Sequence, residues 1–284
     1  MIDTHSHIYV EEFADDVDDV VSRAQQAGVE KILLPNINRE SIEPMLALCH
    51  RYPGYLYPMI GLHPEDVKED WELDLMRKAQ AITDKAFSEV VTRIKVGMTE
   101  LELQAELIYC LYKNGATGLA FDPIVVAGPN SSLPHGVASE RVIQEGDFVT
   151  MDFGVLYMGY CSDMTRTVAL GFATEEMKEV YNTVLRAQLA GIAATKAGVS
   201  GKDVDLAARK VIEEGFGHGL GVEVHEQPGA GAAADVPLPV GAVISAEPGI
   251  YLPGKFGVRI EDCVVVEENG CTILTKSPKD LLIL

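Results

Sequence analysis

Four acids in the second half of the chain sit where acids are costly. Asp152 ends the apolar run Val149-Thr-Met-Asp, and Glu247 ends Val243-Ile-Ser-Ala-Glu. Asp163 follows in Cys161-Ser-Asp-Met-Thr-Arg-Thr, and Glu261 in Val258-Arg-Ile-Glu-Asp. A carboxylate on a buried strand needs a cation or hydrogen-bond donors. Singly, each could salt-bridge to the nearby Arg166 or Arg259. As a set, they point to about two divalent cations, because two metals ~3.5–4 Å apart between bridging carboxylates are a common hydrolytic device. Three histidines accompany them: His218 in Gly217-His-Gly-Leu-Gly221, His225 in Val224-His-Glu-Gln-Pro228, and His135 in the turn Leu133-Pro-His-Gly. They can supply one neutral metal ligand and two hydrogen-bonding groups. Oxygen-rich coordination with one imidazole suits Mn²⁺, or Co²⁺ or Zn²⁺, better than a thiolate site does.

These residues belong to an internal repeat. Lys95-Val-Gly-Met-Thr99 is echoed by Lys196-Ala-Gly-Val-Ser200, and Gly146–Gly154 by Gly241–Gly249, which aligns Asp152 with Glu247. Helical periodicity over Leu75–Ile94 and from Thr99 to about Asn114, with Glu102 as the capping-box partner of Thr99, precedes β-type runs at Pro123–Ala127, Phe148–Phe153 and Thr165–Ala169. The expected architecture is α+β: a duplicated ααβ unit whose halves share a pseudo-two-fold and join their sheets. Before residue 70 the pattern differs. Met1–Ile8, Phe13–Ala27, Lys31–Pro35, Ile42–His50 and Leu56–Leu62 alternate as strand and helix, a small βαβαβ segment with crossover helices ended by Gly28 and by Pro53-Gly54. The acidic stretch Glu65–Glu72 is expected to be a linker, giving domains 1–70 and 74–284.

Bulk composition narrows the function. The 284-residue chain has a net charge of −20, and residues 1–72 hold 15 acids against 5 bases. That charge disfavours broad nucleic-acid binding. No apolar run approaches the ~20 residues that span a bilayer, and the N-terminus has no secretory pattern. The five scattered cysteines form no CxxC pair, as expected of reduced thiols in a cytoplasm.

Residues 74–284 resemble the pita-bread metallopeptidases, in the Xaa-Pro aminopeptidase and prolidase branch. The resemblance rests on LMRKAQAITDKAF, SSLPHG, GDFVTMDFG, GYCSDMTRTV, GHGLGVEVHEQP, SAEPGIY, GVRIED and SPKDLLIL. It implies that Asp152, Asp163, His218, Glu247 and Glu261 hold two metal ions. It implies that His135 and His225 line the substrate site and that Glu247 handles the proton of the attacking water. The methionine aminopeptidase branch has His after the last metal-binding Glu; Asp262 here favours the proline-directed branch. The implied substrates are short peptides with proline at the second position, with no nucleic acid and no membrane as partner and a homodimer as the assembly. The connection from the helix ending near Glu214 to His218 is shorter than is usual in that family, which leaves a catalytically impaired binding module as an alternative. Residues 1–70 are similar to the start of a TatD-type metal-dependent deoxyribonuclease, through Ile2-Asp-Thr-His-Ser-His7, Gly28-Val-Glu-Lys-Ile-Leu and Gly61-Leu-His-Pro64. That resemblance covers about three βα units of a barrel. Its histidines, His5, His7 and His63, make an incomplete site, so a nuclease is the further alternative and a chimeric chain the expected origin.

Overall fold

The computed structural model describes residues 1–37, 41–59, 68–212 and 217–284. The chain divides into two compact units, Met1–Val67 and Lys68–Leu284. Among the described residues, no helix is long and apolar enough to cross a membrane.

In the first unit, strand β1 (Ile2–Asp3), helix α1 (Val17–Gln26), β2 (Lys31–Pro35), α2 (Ile42–Arg51) and β3 (Leu56–Met59) follow one another. The strands form a parallel sheet in the order β1-β2-β3. Ile32 and Leu34 of β2 are buried with Val17 and Val21 of α1 and Met45 and Leu48 of α2. Gly28, at φ +82°, ends the first helix in the left-handed conformation that glycine adopts without steric cost. β1 is shorter than the expected Met1–Ile8 strand. Asp3 accepts a hydrogen bond from the His5 amide (3.1 Å), a local turn that competes with ladder pairing. The end of the expected strand Leu56–Leu62, and His63 with it, lies outside the described residues.

The second unit begins inside the segment expected to be a linker. Glu69 and Glu72 form a capping box, so α3 (Asp70–Val90) starts at Asp70. Next come α4 (Glu100–Lys113), β4 (Gly118–Leu119), β5 (Ile124–Ala127), a 3₁₀ turn (Gly128–Ser132), β6 (Phe148–Phe153), β7 (Val155–Tyr157), β8 (Tyr160–Cys161) and β9 (Met164–Ala169). The second half repeats the plan: α5 (Glu175–Ala194), α6 (Gly201–Arg209), β10 (Gly217–Gly219), β11 (Glu226–Ala230), β12 (Val243–Ala246), β13 (Gly249–Leu252), β14 (Phe256–Arg259), β15 (Asp262–Glu267) and β16 (Gly270–Ile273). The repeat is visible in the caps. Thr99 and Ser200, aligned in the sequence, each accept a backbone N–H at the start of the second helix of their half.

α3 and α4 lay Ala79, Phe87, Val90, Leu103, Leu107 and Leu111 against Val125, Val149, Met151 and Met164 of the antiparallel sheet β5-β6-β9. In the second half Val204 and Ala208 of α6 pack on Ile244, Ala246, Val264 and Val266 of the sheet β11-β10-β12-β15-β16. Among the described residues the named strands of each half pair within their own sheets, and the expected joining is confined to an isolated parallel bridge between Ala169 and Ile283. The two halves meet where the Glu261 amide donates to the Thr165 carbonyl (3.1 Å) and the Thr167 hydroxyl to the Arg259 carbonyl (3.0 Å).

Candidate metal centre

That seam gathers the acids. Asp152 lies on β6 and Asp163 immediately precedes β9, while Glu247 immediately follows β12 and Glu261 immediately precedes β15. The register explains the second pair: Ala246 faces Asp262, so Glu247 and Glu261 come one step further along adjacent strands. His218 arrives from β10, hydrogen-bonded to β12 at Gly219–Ile244. Close backbone approach fixes it there. A Cβ on Gly217 would stand 2.1 Å from the Ser245 carbonyl oxygen, and one on Gly219 would stand 2.2 Å from that of Glu226. The His218 amide donates to Ser245 Oγ (2.9 Å), which donates in turn to Glu247 (3.0 Å). The connection Glu213–Phe216 that enters β10 lies outside the described residues.

His218 Nε2 is 3.0 Å from Glu247 Oε1 and 3.7 Å from Asp163 Oδ2. Ligand atoms of Asp163, His218 and Glu261 all lie within 4.8 Å of one another. Asp152 instead receives Arg259 Nη2 at 2.5 Å. Arg259 also donates to the Tyr251 hydroxyl (2.8 Å), Thr165 Oγ1 (3.0 Å) and the Pro134 carbonyl (3.0 Å). Arg166 takes another partner: it is fully buried and pairs with Asp262 at 2.7 Å. The two arginines that could have neutralised the four acids therefore reach one of them between them. One oxygen each of Asp152, Asp163 and Glu261 is buried with no hydrogen-bond partner.

The electrostatics follow from that shortage of cations. Burial, then the charges of Glu261, Asp152 and Glu247, hold the Asp163 carboxyl well above the usual carboxylate range. Burial, then Glu247 and Asp152, do the same to Glu261. Asp152 is raised by burial, with Arg259 offsetting part of the effect. Glu247 goes the other way. Burial pushes it up, but the hydrogen bond and charge of His218 and the charge of Arg259 bring it below its ordinary value. Burial opposes a charged His218, yet Glu247 raises it overall. His225 is lowered by burial and by repulsion from His218, whose ring centroid lies 4.2 Å away. Crowded, buried carboxyls with raised pKa values and unpartnered oxygens, close to one imidazole, suit a divalent-cation site. The donor set fits a hard or borderline cation.

The site opens into a cavity of about 420 Å³, lined by His135, Asp152, Asp163, His218, His225, Glu247, Tyr251 and Arg259 on its polar side. Phe121, Ile124, Pro134 and Val224 form an apolar wall. His135 reaches it from the loop after the 3₁₀ turn, and His225 from the residue preceding β11. Glu261 is 1% exposed and reaches the site through its closeness to Asp163 and His218. Sequence reasoning did not find the apolar wall or Tyr251. Tyr251 stands four residues after Glu247, and only the β13–β14 hairpin reveals that it faces Arg259.

A family model described as Metallopeptidase family M24 matches residues 74–268. The chain belongs to metallopeptidase family M24. A model described as TatD related DNase matches residues 2–97, so the two matches overlap at the start of the M24 unit. Among curated relatives, an uncharacterized peptidase, YqhT, of Bacillus subtilis is 44% identical over 227 residues, covering 77% of this chain and 64% of the relative. The Xaa-Pro dipeptidase of Pyrococcus furiosus is 42% identical over 225 residues, covering 76% and 65%. The chain thus spans less than two thirds of the length of these relatives. Among solved structures, the X-Pro aminopeptidase of Thermotoga maritima superposes with a TM-score of 0.78 at 38% identity, over 95% of this chain and 79% of the other. The Xaa-Pro dipeptidase of Bacillus anthracis gives 0.78 at 38%, over 100% and 86%. The pita-bread fold expected from the sequence is the fold of this M24 unit.

Proposed function

We propose that this M24 chain hydrolyses the bond between an N-terminal residue and a following proline, with two divalent cations held by Asp152, Asp163, His218, Glu247 and Glu261. The observation that carries this reading is the gathering of Asp163, His218 and Glu261 ligand atoms within 4.8 Å of one another, with one buried, unpartnered oxygen each on Asp152, Asp163 and Glu261. Relatives named as Xaa-Pro dipeptidases and an X-Pro aminopeptidase support the choice of bond. Manganese suits the oxygen-rich donors best, with cobalt or zinc as alternatives. Such cations, when bound, supply charge stabilisation and a water acidic enough to react near neutral pH. The protein's own groups do the rest. Glu247 is held below its ordinary pKa, faces the cavity and is steadied by His218 and Ser245, so it can accept a proton from water and pass it to the leaving proline nitrogen. His135 and His225 donate hydrogen bonds to the substrate carbonyl as it gains charge. The wall of Phe121, Ile124, Pro134 and Val224 suits an apolar first side chain and a proline ring. We assign the protein to the cytoplasm, acting on short peptides as a homodimer.

Elemental analysis of the purified protein, beside a Xaa-Pro peptide assay with excess Mn²⁺, tests this reading. Close to two cations per chain and proline-dependent cleavage are expected. No bound metal and no cleavage would leave a binding module on the same fold. His225→Ala should slow turnover by roughly 10²–10³-fold with metal content unchanged. A rate within about threefold of the parent would remove His225 from its role.

A nuclease reading rests on the match over residues 2–97 and on His5 Nε2 lying 2.9 Å from His7 Nε2. Among the described residues of the first unit, no three metal-binding side chains gather within reach of one ion. We therefore expect DNA to stay intact. Metal-dependent DNA cleavage that survives Glu247→Ala and disappears in His5→Ala would overturn this.

A further inference from the structure

Glu100 is fully buried at the first position of α4, yet among the described residues no cation pairs with it. Its carboxylate accepts from the Ala127 amide (2.8 Å), the Asn130 side-chain amide (3.1 Å), the Ser139 amide (3.0 Å) and the Ser139 hydroxyl (2.6 Å). Ala127 and Ser139 are the two ends of the loop that carries His135 to the cavity. That loop leaves β5 and crosses the seam with no strand partner of its own. Its far side is tied to the other half, where the Gly257 amide donates to Ser131 Oγ (2.9 Å) and Arg259 donates to the Pro134 carbonyl. Its near side closes on one carboxylate. Only an acceptor-only group can meet four converging donors; an amide would turn N–H toward N–H.

The internal repeat separates this role from a general need of the fold. The alignment of Lys95–Thr99 with Lys196–Ser200 puts Gly201 where the first half has Glu100. At Gly201 the β11 backbone comes so close that a Cβ would stand 2.1 Å from the Gly229 carbonyl oxygen. The ααβ plan therefore forms without an acid at this position. The half that has one is the half in which both ends of the His135 loop, Ala127 and Ser139, meet on that acid.

We propose that Glu100 is a positioning residue that sets His135 against the substrate by joining both ends of its loop. The kinetic part rests on the function proposed above. The test compares Glu100→Gln in the parent and in His135→Ala, with kcat/KM on a Xaa-Pro peptide, metal content and amide hydrogen exchange as readouts. In the parent the substitution should lower kcat/KM by roughly 10–10²-fold, because a displacement of about 1 Å at a reacting group costs that much. In His135→Ala it should cost less than about threefold, because the residue through which it acts is gone. Ala127 and Ser139 should exchange at least about tenfold faster, while β12 and β15 keep their protection. Equal losses in both backgrounds would assign Glu100 to the fold alone and overturn the proposal. Should the parent cleave no Xaa-Pro peptide, the functional reading fails, and hydrogen exchange decides this one separately: unchanged protection at Ala127 and Ser139 overturns it. Glu100→Asp, which keeps the charge one methylene short, is the second variant if the amide does not fold, and it should recover part of the lost kcat/KM.

Discussion

Glu247→Gln is expected to abolish hydrolysis while the fold survives. The amide has the size of the carboxylate and can still accept from Ser245 Oγ. It cannot take up a proton, and positioned acid–base chemistry contributes about 10²–10⁴-fold by itself. The change also strips His218 of the charge 3.0 Å from its Nε2, so the imidazole titrates lower. Of the four acids, Glu247 is the one held below its ordinary pKa, because the hydrogen bond and charge of His218 and the charge of Arg259 outweigh burial. Burial raises Asp152, Asp163 and Glu261, so a bound cation would favour their charged forms. Turnover of a Xaa-Pro peptide, metal content and thermal melting together decide the outcome. Activity above roughly a tenth of the parent, outside the range expected for loss of a general base, would move proton transfer to another group.

The acids were legible because strands make buried charge conspicuous. An acid closing a run such as Val149-Thr-Met-Asp requires explanation wherever it occurs, and the repeat supplied its counterpart at Glu247. Helix starts were legible for the same local reason: Thr99 with Glu102 is a signature contained within four residues. The pairing of arginines with acids was not. Arg166 and Arg259 are each close in sequence to a candidate ligand, and only the fold sends one to Asp262 and the other to Asp152. Asp262 illustrates the limit. It was legible as a branch marker beside Glu261, yet successive strand residues face opposite sides of a sheet. Glu261 thus turns to Asp163 and His218 while Asp262 turns to Arg166 and Lys279. Glu100 was hidden for a related reason. Local pattern identified its neighbour Glu102 as the cap, while the donors that give Glu100 its meaning lie 27 to 39 residues away.

Arg166→Met should lower the melting temperature of the M24 unit more than any substitution in the cavity. The guanidinium is 1% exposed and all five of its N–H groups are used. Nε donates to the Pro278 carbonyl (2.9 Å), one terminal nitrogen to the carbonyls of Thr165 and Glu261, and the other to Asp262 (2.7 Å) and the Ser277 carbonyl (2.8 Å). Three segments distant in sequence thus converge on one side chain: the start of β9, the turn into β15 and the C-terminal stretch. A thioether fills only the stem of that space and withdraws a donor from four carbonyls, of which Thr165 keeps the Glu261 amide. Lys279 still reaches Asp262 at 2.7 Å, so that charge keeps one partner. Breaking a buried pair of this kind costs about 3–5 kcal/mol. At about 2–4 °C per kcal/mol for a domain of this size, the melting temperature should fall by roughly 6–20 °C. Arg166→Lys should recover little, because one ammonium cannot reproduce a planar fork of five donors. Because the Glu261 carbonyl is among the lost partners, Mn²⁺ should also bind more weakly. Melting is therefore measured with a chelator present and again with excess Mn²⁺, and the stabilisation by metal should be smaller in the variant. A fall of less than about 2 °C with chelator would mean that packing, not the hydrogen bonds, holds these three segments together.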